Sequence, residues 1–221
     1  MKFNTLKSTL IRGNVTEKTL REFKEECGKL SRFQCCQQLY TTAVQMKPAH
    51  HIQALELIDY AMSMCEDWAE LMRCHHNKGV IYEGTGNWFD AMREYKKSFE
   101  VIPDDMKPNY ISGPSMHLLR AEMHCNNFEY TDDLQKYYDE AIADGTNQII
   151  FTNLFYLRLA ELIISTHNGD EPASAKAYSE VKAMLHPQYD GIYAKIKAKA
   201  FYDDAVGATY AAKRYVENWG K

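Results

Sequence analysis

Apolar residues recur at intervals of three and four along most of the chain, and this spacing constrains the fold more than any other feature of the sequence. It places apolar side chains on one face of an α-helix, whereas the strict alternation typical of a β-strand is hard to find. Because proline cannot donate the helical hydrogen bond, it separates helices. Five prolines stand where the pattern breaks or begins: Pro48, Pro103, Pro108, Pro114 and Pro172. The sequence therefore predicts an all-α protein.

The predicted helices follow this punctuation. One runs from about Thr16, whose hydroxyl can cap a helix start, to Gly28. Two helices within 68–102 are joined by a turn at 84–87. Further helices are predicted at about 31–46, 50–64, 153–166 and 172–185, and an Ala- and Tyr-rich segment closes the chain.

The stretch 68–103 carries the most specific pattern. Gly79 and Tyr82 lie in its first predicted helix, Ala91 and Tyr95 lie in its second, and a proline ends it. Small residues at Gly79 and Ala91 allow two helices to approach closely, while the tyrosines fill the space beside them. This order of small, aromatic and proline positions resembles the tetratricopeptide repeat, a unit of about 34 residues.

The resemblance implies a fold and a domain organisation. It is clear over 68–103 and loose over 31–185, and it implies antiparallel helix pairs stacked into a right-handed superhelix, an α-α solenoid. We expect one helical-repeat domain over 1–221. It would comprise an N-terminal helix or cap in 1–30, about four repeat-like helix pairs in 31–185 and capping helices in 186–221.

The resemblance also implies a function, because such arrays bind partners on a concave face. We expect a non-enzymatic module that binds a peptide or partner protein in this groove. Asn77, Arg120 and Arg158 take equivalent positions that resemble part of a clamp for a peptide's terminal carboxylate. The register of the resemblance places ten residues on the concave face: Arg73, His76, Asn77, Met116, Leu119, Arg120, Met123, Leu157, Arg158 and Glu161.

Other interpretations of these residues and of the array stay open. The ten positions can be ordinary solvated or ion-paired helix positions, since surface pairs contribute little. The array can also be a peptide-sensing receptor whose curvature changes on binding, or a subunit of a larger assembly.

Charge and composition argue against several functional classes. The formal net charge of −4 gives no reason to expect a nucleic-acid partner. No run of about 18 apolar residues is present, so no membrane span is predicted. The first residues lack the apolar core of a signal peptide, and we expect a cytoplasmic protein. No motif indicates catalysis or a cofactor.

The cysteines, histidines and last tryptophan carry weaker signals. Six cysteines form no C-x-x-C pair, which favours free, mostly buried thiols. His117 and His124 share a helix face, but zinc requires two further converging ligands, so we predict no metal site. Trp219 either folds back on the last helix pair or marks a self-association surface, and the terminal helices then offer a route to a homo-oligomer.

Overall fold

The computed structural model describes residues 2–107, 112–143, 150–186 and 206–221. Within these ranges the chain forms eleven α-helices and no strand, which confirms the all-α prediction. The superhelical arrangement stays a prediction. The helices are α1 Lys2–Ile11, α2 Glu17–Cys27, α3 Arg32–Ala43, α4 His51–Met62, α5 Trp68–Gly84, α6 Trp88–Glu100, α7 Ser112–Cys125, α8 Asp132–Ala143, α9 Phe151–Asn168, α10 Glu171–Met184 and α11 Val206–Asn218.

The helices belong to two compact units, Met1–Asn109 and Tyr110–Lys221. In each unit consecutive helices pack against each other, most extensively α5 on α6 and α9 on α10. The pairs α3–α4, α5–α6, α7–α8 and α9–α10 occupy the region where about four helix pairs are predicted. Of the predicted C-terminal capping segment, 187–205 lies outside the described residues. No helix among the described residues is both long enough and apolar enough to cross a bilayer.

The start of α2 shows how local sequence sets a helix boundary. The Thr16 hydroxyl accepts a hydrogen bond from the Thr19 amide at 3.1 Å, and the Thr19 hydroxyl accepts one from the Thr16 amide at 2.9 Å. This reciprocal capping satisfies amides that have no partner inside the helix. The capping role predicted for Thr16 is confirmed, and the face with Leu20, Phe23 and Cys27 is buried as its spacing predicts.

The pair α5–α6 packs tightly at the residues that carry the repeat-like pattern. Gly79, Ala91 and Tyr95 are all buried. A Cβ atom on Gly79 would lie 2.6 Å from Cδ1 and 2.9 Å from Cζ of the Tyr95 ring, closer than real contacts allow. The Tyr95 hydroxyl donates to the Glu83 carboxylate at 2.6 Å. Glycine is therefore needed at this crossing because the tyrosine ring occupies the space of a side chain.

The same pair contains a buried carboxylate, Glu94, which is only 2% exposed. His75 Nδ1 donates to it at 2.7 Å and the Lys97 ammonium group at 3.0 Å. Burial by itself would raise the pKa of Glu94, but the bonds from His75 and Lys97 and nearby positive charges outweigh it and lower the pKa to about 2. Glu94 is therefore ionised and satisfied inside the first unit.

In the second unit α9 is the central helix, with buried residues on all sides. It ends at Gly169, whose φ of +68° suits glycine, and Asp170 then caps α10 by accepting from the Ala173 amide at 3.1 Å. The last helix, α11, packs against α10. It buries a face of small residues that includes Ala208, Ala211 and Ala212.

Candidate functional site

Three of the predicted partner-binding residues lie on α5 in the first unit. Arg73 is exposed, and its carbonyl oxygen accepts a hydrogen bond from the Asn77 side-chain amide at 2.7 Å. His76 is half-buried, with its ring centroid 5.6 Å from that of Tyr95. These residues form one local cluster, while the other seven predicted residues belong to the second unit.

The apolar members of the predicted set belong to the core of the second unit. Met116 is 3% exposed, and Leu119, Met123 and Leu157 are completely buried. A partner can reach them only if the side chains that cover them move. Their role in binding therefore stays a prediction, and the packed core of the unit accounts for their apolar character.

The polar members of the set already have partners within the second unit. Arg158 donates to the carboxylates of Glu161 and Glu180, each at 2.5 Å. Burial would lower the pKa of Arg158, but these bonds and charges outweigh it and raise the pKa. Arg120 donates to His117 Nδ1 at 2.8 Å. A clamp that uses Arg158 would have to compete with two carboxylates of its own chain.

The two histidines considered as metal ligands also contact other groups. His124 Nε2 forms a 2.7 Å hydrogen bond with the Tyr156 hydroxyl, and its ring packs edge-on against Phe128. Gly207 of α11 lies beside the same ring, because a Cβ atom there would be 3.1 Å from it. No group of three or more potential metal ligands converges within the described parts of the chain. His124 instead joins α7, α9 and α11.

A groove of about 890 Å³ lies in the second unit. Its walls are the turn between α7 and α8, the end of α9, the start of α10 and the end of α11. We call this recess the C-terminal groove. Ligand sites in proteins typically occupy about 300–1,000 Å³, so its size suits a small molecule or a few residues of a peptide.

Aromatic side chains line the C-terminal groove and are held in place by other rings. Tyr130 stacks on His167 with ring centroids 3.6 Å apart and an interplanar angle of 4°. Trp219 stacks on Tyr178 at 4.9 Å and 15°. Trp219 thus folds back on the last helix pair, one of the two alternatives that the sequence left open. Rings fixed in this way present apolar surface without a large loss of side-chain entropy on binding.

The turn between α7 and α8 anchors α11 and so shapes the groove. Asn127 and Phe128 have positive φ angles of 52° and 60°. The Tyr215 hydroxyl donates to the Phe128 carbonyl at 2.8 Å, and Arg214 donates to the Asn127 carbonyl at 3.2 Å. The buried carboxylate of Glu122 accepts one hydrogen bond from the Asn126 side chain and another from the Thr131 hydroxyl, which caps α8. The turn is therefore fixed on both sides.

Charged side chains at the C-terminal groove differ in how they are paired. Glu129 and Glu171 are exposed on its wall and form no ion pair with any residue that the structure describes. Arg214, by contrast, bonds to a main-chain carbonyl, and its guanidinium carbon lies 5.9 Å from the centre of the Tyr215 ring. Burial raises the pKa of Tyr215; the Arg214 charge opposes this shift, and the Glu129 charge adds to it. Among the described residues, two carboxylates and one guanidinium therefore line the groove without an ion-pair partner, so their net charge is negative.

Comparison of the chain with protein-family models, with curated proteins and with solved structures gave no significant match. The resemblance to tetratricopeptide repeats therefore rests on the residues quoted above. The C-terminal groove joins residues up to 91 positions apart, Glu129 and Gly220. Trp219, near the end of the sequence, was the one residue whose predicted alternatives included such a contact.

Proposed function

We propose that this protein is a non-enzymatic interaction module that binds a short peptide segment with a basic side chain in the C-terminal groove. The observation that carries the proposal is the groove itself, of about 890 Å³ with walls of fixed aromatic rings. It differs from the site that the family resemblance implies, because the apolar residues of that site lie in the core.

The charge at the groove favours a basic partner. Glu129 and Glu171 have no ion-pair partner among the described residues, and their two negative charges outweigh the one positive charge of Arg214, which bonds to a neutral carbonyl. A lysine or arginine of a peptide can lay its carbon stem along the aromatic wall and place its charged end near these carboxylates. An acidic segment would meet these two negative charges at a wall where Arg214 supplies one positive charge.

The form of the wall favours an extended segment. Several lining residues are exposed and come from four separate parts of the unit, so the recess is open to solvent. Interfaces of this kind combine aromatic anchors with a polar rim. In the C-terminal groove Tyr215 and Trp219 are the anchors, and Glu129, Glu171 and Asn218 are part of the rim.

Selection from a display library of random peptides tests the proposal directly. Peptides retained by the wild-type chain should be enriched in lysine or arginine next to an apolar residue. Their binding should weaken about tenfold in a Glu129→Gln, Glu171→Gln double variant, because each rim ion pair contributes up to about 1 kcal/mol. Binding should also weaken as salt is added.

Matched controls separate the groove from general surface properties. Phe89 is an aromatic residue of the first unit that is 71% exposed, so Phe89→Ala should leave peptide binding unchanged while Trp219→Ala abolishes it. Circular dichroism must show both variants folded. Enrichment of acidic peptides would contradict the basic partner. Peptides that bind the Trp219→Ala chain equally well would show that the groove is not the binding site.

A further inference from the structure

Three cysteines of the first unit meet at the corner between α4 and α5. Cys65 lies in the connection between these helices, Cys74 lies in α5 and Cys36 lies in α3. The sulfurs of Cys65 and Cys74 are 3.8 Å apart. The thiols of Cys65 and Cys36 both point at the Ala61 carbonyl oxygen, at 3.5 and 3.6 Å.

The three thiols differ in exposure. Cys74 and Cys36 are buried, at 0% and 1%, whereas Cys65 is half-buried at the surface of the unit. A dissolved reagent can therefore reach Cys65 before it reaches the other two. Burial raises the pKa of both Cys65 and Cys74, so little thiolate is present near neutral pH and any reaction is slow.

The corner holds its backbone firmly while leaving the Cys65 side chain outside a helix. The Arg32 guanidinium donates to the Met64 carbonyl at 3.0 Å and bonds to the Glu70 carboxylate. Glu70 in turn accepts from the Glu66 amide at 3.1 Å. Rotation of the Cys65 side chain then has to bring two sulfurs from 3.8 Å to the disulfide distance of about 2.05 Å.

We propose that Cys65 and Cys74 form an oxidisable dithiol, a modification site that a small disulfide such as oxidised glutathione converts into a Cys65–Cys74 disulfide. In the first step the Cys65 thiolate attacks one glutathione sulfur, and the released glutathione thiolate takes up a proton. In the second step the Cys74 sulfur attacks the Cys65 sulfur and gives up its proton, and the second glutathione leaves as a thiolate that takes up a proton. Two protein thiols are oxidised, and one glutathione disulfide is reduced to two thiols.

This inference is independent of the C-terminal groove, which belongs to the other unit. It also specifies which thiol forms the disulfide with Cys65, because Cys36 lies close enough to compete with Cys74. The contact of 3.8 Å assigns Cys74 as the resolving thiol.

Peptide mapping of the folded wild-type chain tests the assignment without any substitution. The chain is incubated with oxidised glutathione at pH 8, quenched in acid, alkylated and cut with proteases specific for Lys/Arg and for Glu. These cuts give 57–66 with Cys65 as its one cysteine, 74–78 with Cys74, and 33–56 with Cys35 and Cys36. The expected product is 57–66 joined to 74–78 with the loss of two hydrogens, and dithiothreitol should reverse it.

The exposed Cys125 in the second unit reports that the oxidant is active, because it should carry glutathione under the same conditions. In a Cys74→Ser chain, oxidation should stop at a glutathione adduct on Cys65. Linkage of 57–66 to 33–56 would overturn the assignment of Cys74. A wild-type Cys65 that stays reduced, or keeps glutathione while Cys125 is fully modified, would overturn the dithiol itself.

Discussion

Replacing Gly79 with alanine tests the close packing of α5 on α6, since a Cβ atom there would lie 2.6 Å from Cδ1 of the Tyr95 ring. Overpacking of a dense core costs about 1–3 kcal/mol. A displaced ring would also weaken the bond from the Tyr95 hydroxyl to Glu83, which contributes about 1.5 kcal/mol, whereas alanine favours the helix by about 1 kcal/mol. The expected net effect is a loss of about 2 kcal/mol.

Gly84 provides the matched control because it lies in the same helix and a Cβ atom there would meet nothing within 4 Å. Gly84→Ala should therefore stabilise the first unit by up to about 1 kcal/mol. Urea denaturation followed by tryptophan fluorescence measures both variants. Trp68 and Trp88 begin α5 and α6, and a Trp219→Phe background removes the signal of the second unit.

The two glycine variants should therefore change stability with opposite signs. Replacing the Tyr95 ring with the smaller leucine side chain makes room for the new Cβ atom. The Gly79→Ala, Tyr95→Leu double variant should therefore lose less free energy of unfolding than the sum of the two single losses. If Gly79→Ala proves as stable as Gly84→Ala, helices α5 and α6 do not approach each other at this point, and the physical basis of the repeat-like pattern is lost.

Three further predictions concern polar groups. Because the pKa of Glu94 is about 2 rather than 4.5, the stability that its carboxylate gives the fold is complete above pH 4.5 and is lost as pH falls towards 2. Glu94→Gln should lower the free energy of unfolding at pH 7 by at most about 3 kcal/mol and flatten its pH dependence, as measured by urea denaturation. An unchanged pH profile would contradict this prediction. Arg32→Met should lower the free energy of unfolding by about 2–4 kcal/mol in the same assay, since it leaves the Glu70 carboxylate buried without its cation. A loss below about 1 kcal/mol would show that Glu70 does not need the Arg32 guanidinium. Tyr215→Phe removes the bond to the Phe128 carbonyl and should speed amide hydrogen exchange in α11, whereas Tyr210→Phe, at a residue 73% exposed, should not. Equal exchange rates in the two variants would contradict the anchoring of α11 by Tyr215.

Much of the fold is predictable because its determinants are local. Thr16 caps α2 through an amide three residues away, and prolines and glycines mark many helix boundaries in the order that the sequence suggests. Gly79 is also recognisable from its spacing to Tyr82 and Tyr95. How one helix pair sits on the next depends on contacts between distant residues, for which the sequence gives no periodic signal.

The candidate site was less predictable for a related reason. Met116, Leu119 and Met123 recur at spacings that fit either an inner binding surface or a core face, and the family register favoured the surface although burial places them in the core. Periodicity identifies an apolar face but does not say what covers it. The C-terminal groove depends on Tyr215 bonding to a carbonyl 87 residues away, a contact that no local pattern encodes.

Both proposed sites lie beside corners that are built in the same way. At the α4–α5 corner the buried carboxylate of Glu70 accepts a main-chain amide of the connection, and Glu122 accepts Asn126 and Thr131 side chains around the α7–α8 turn. An isolated buried carboxylate is costly, so each one is stable only while its donors keep their places, and each corner is fixed in return. Fixed corners lower the entropy that is lost when a ligand or a disulfide forms next to them. The Glu70 carboxylate therefore fixes the corner that carries Cys65, and the Glu122 carboxylate fixes the wall of the C-terminal groove. Neither carboxylate takes part in the proposed oxidation or in the proposed binding.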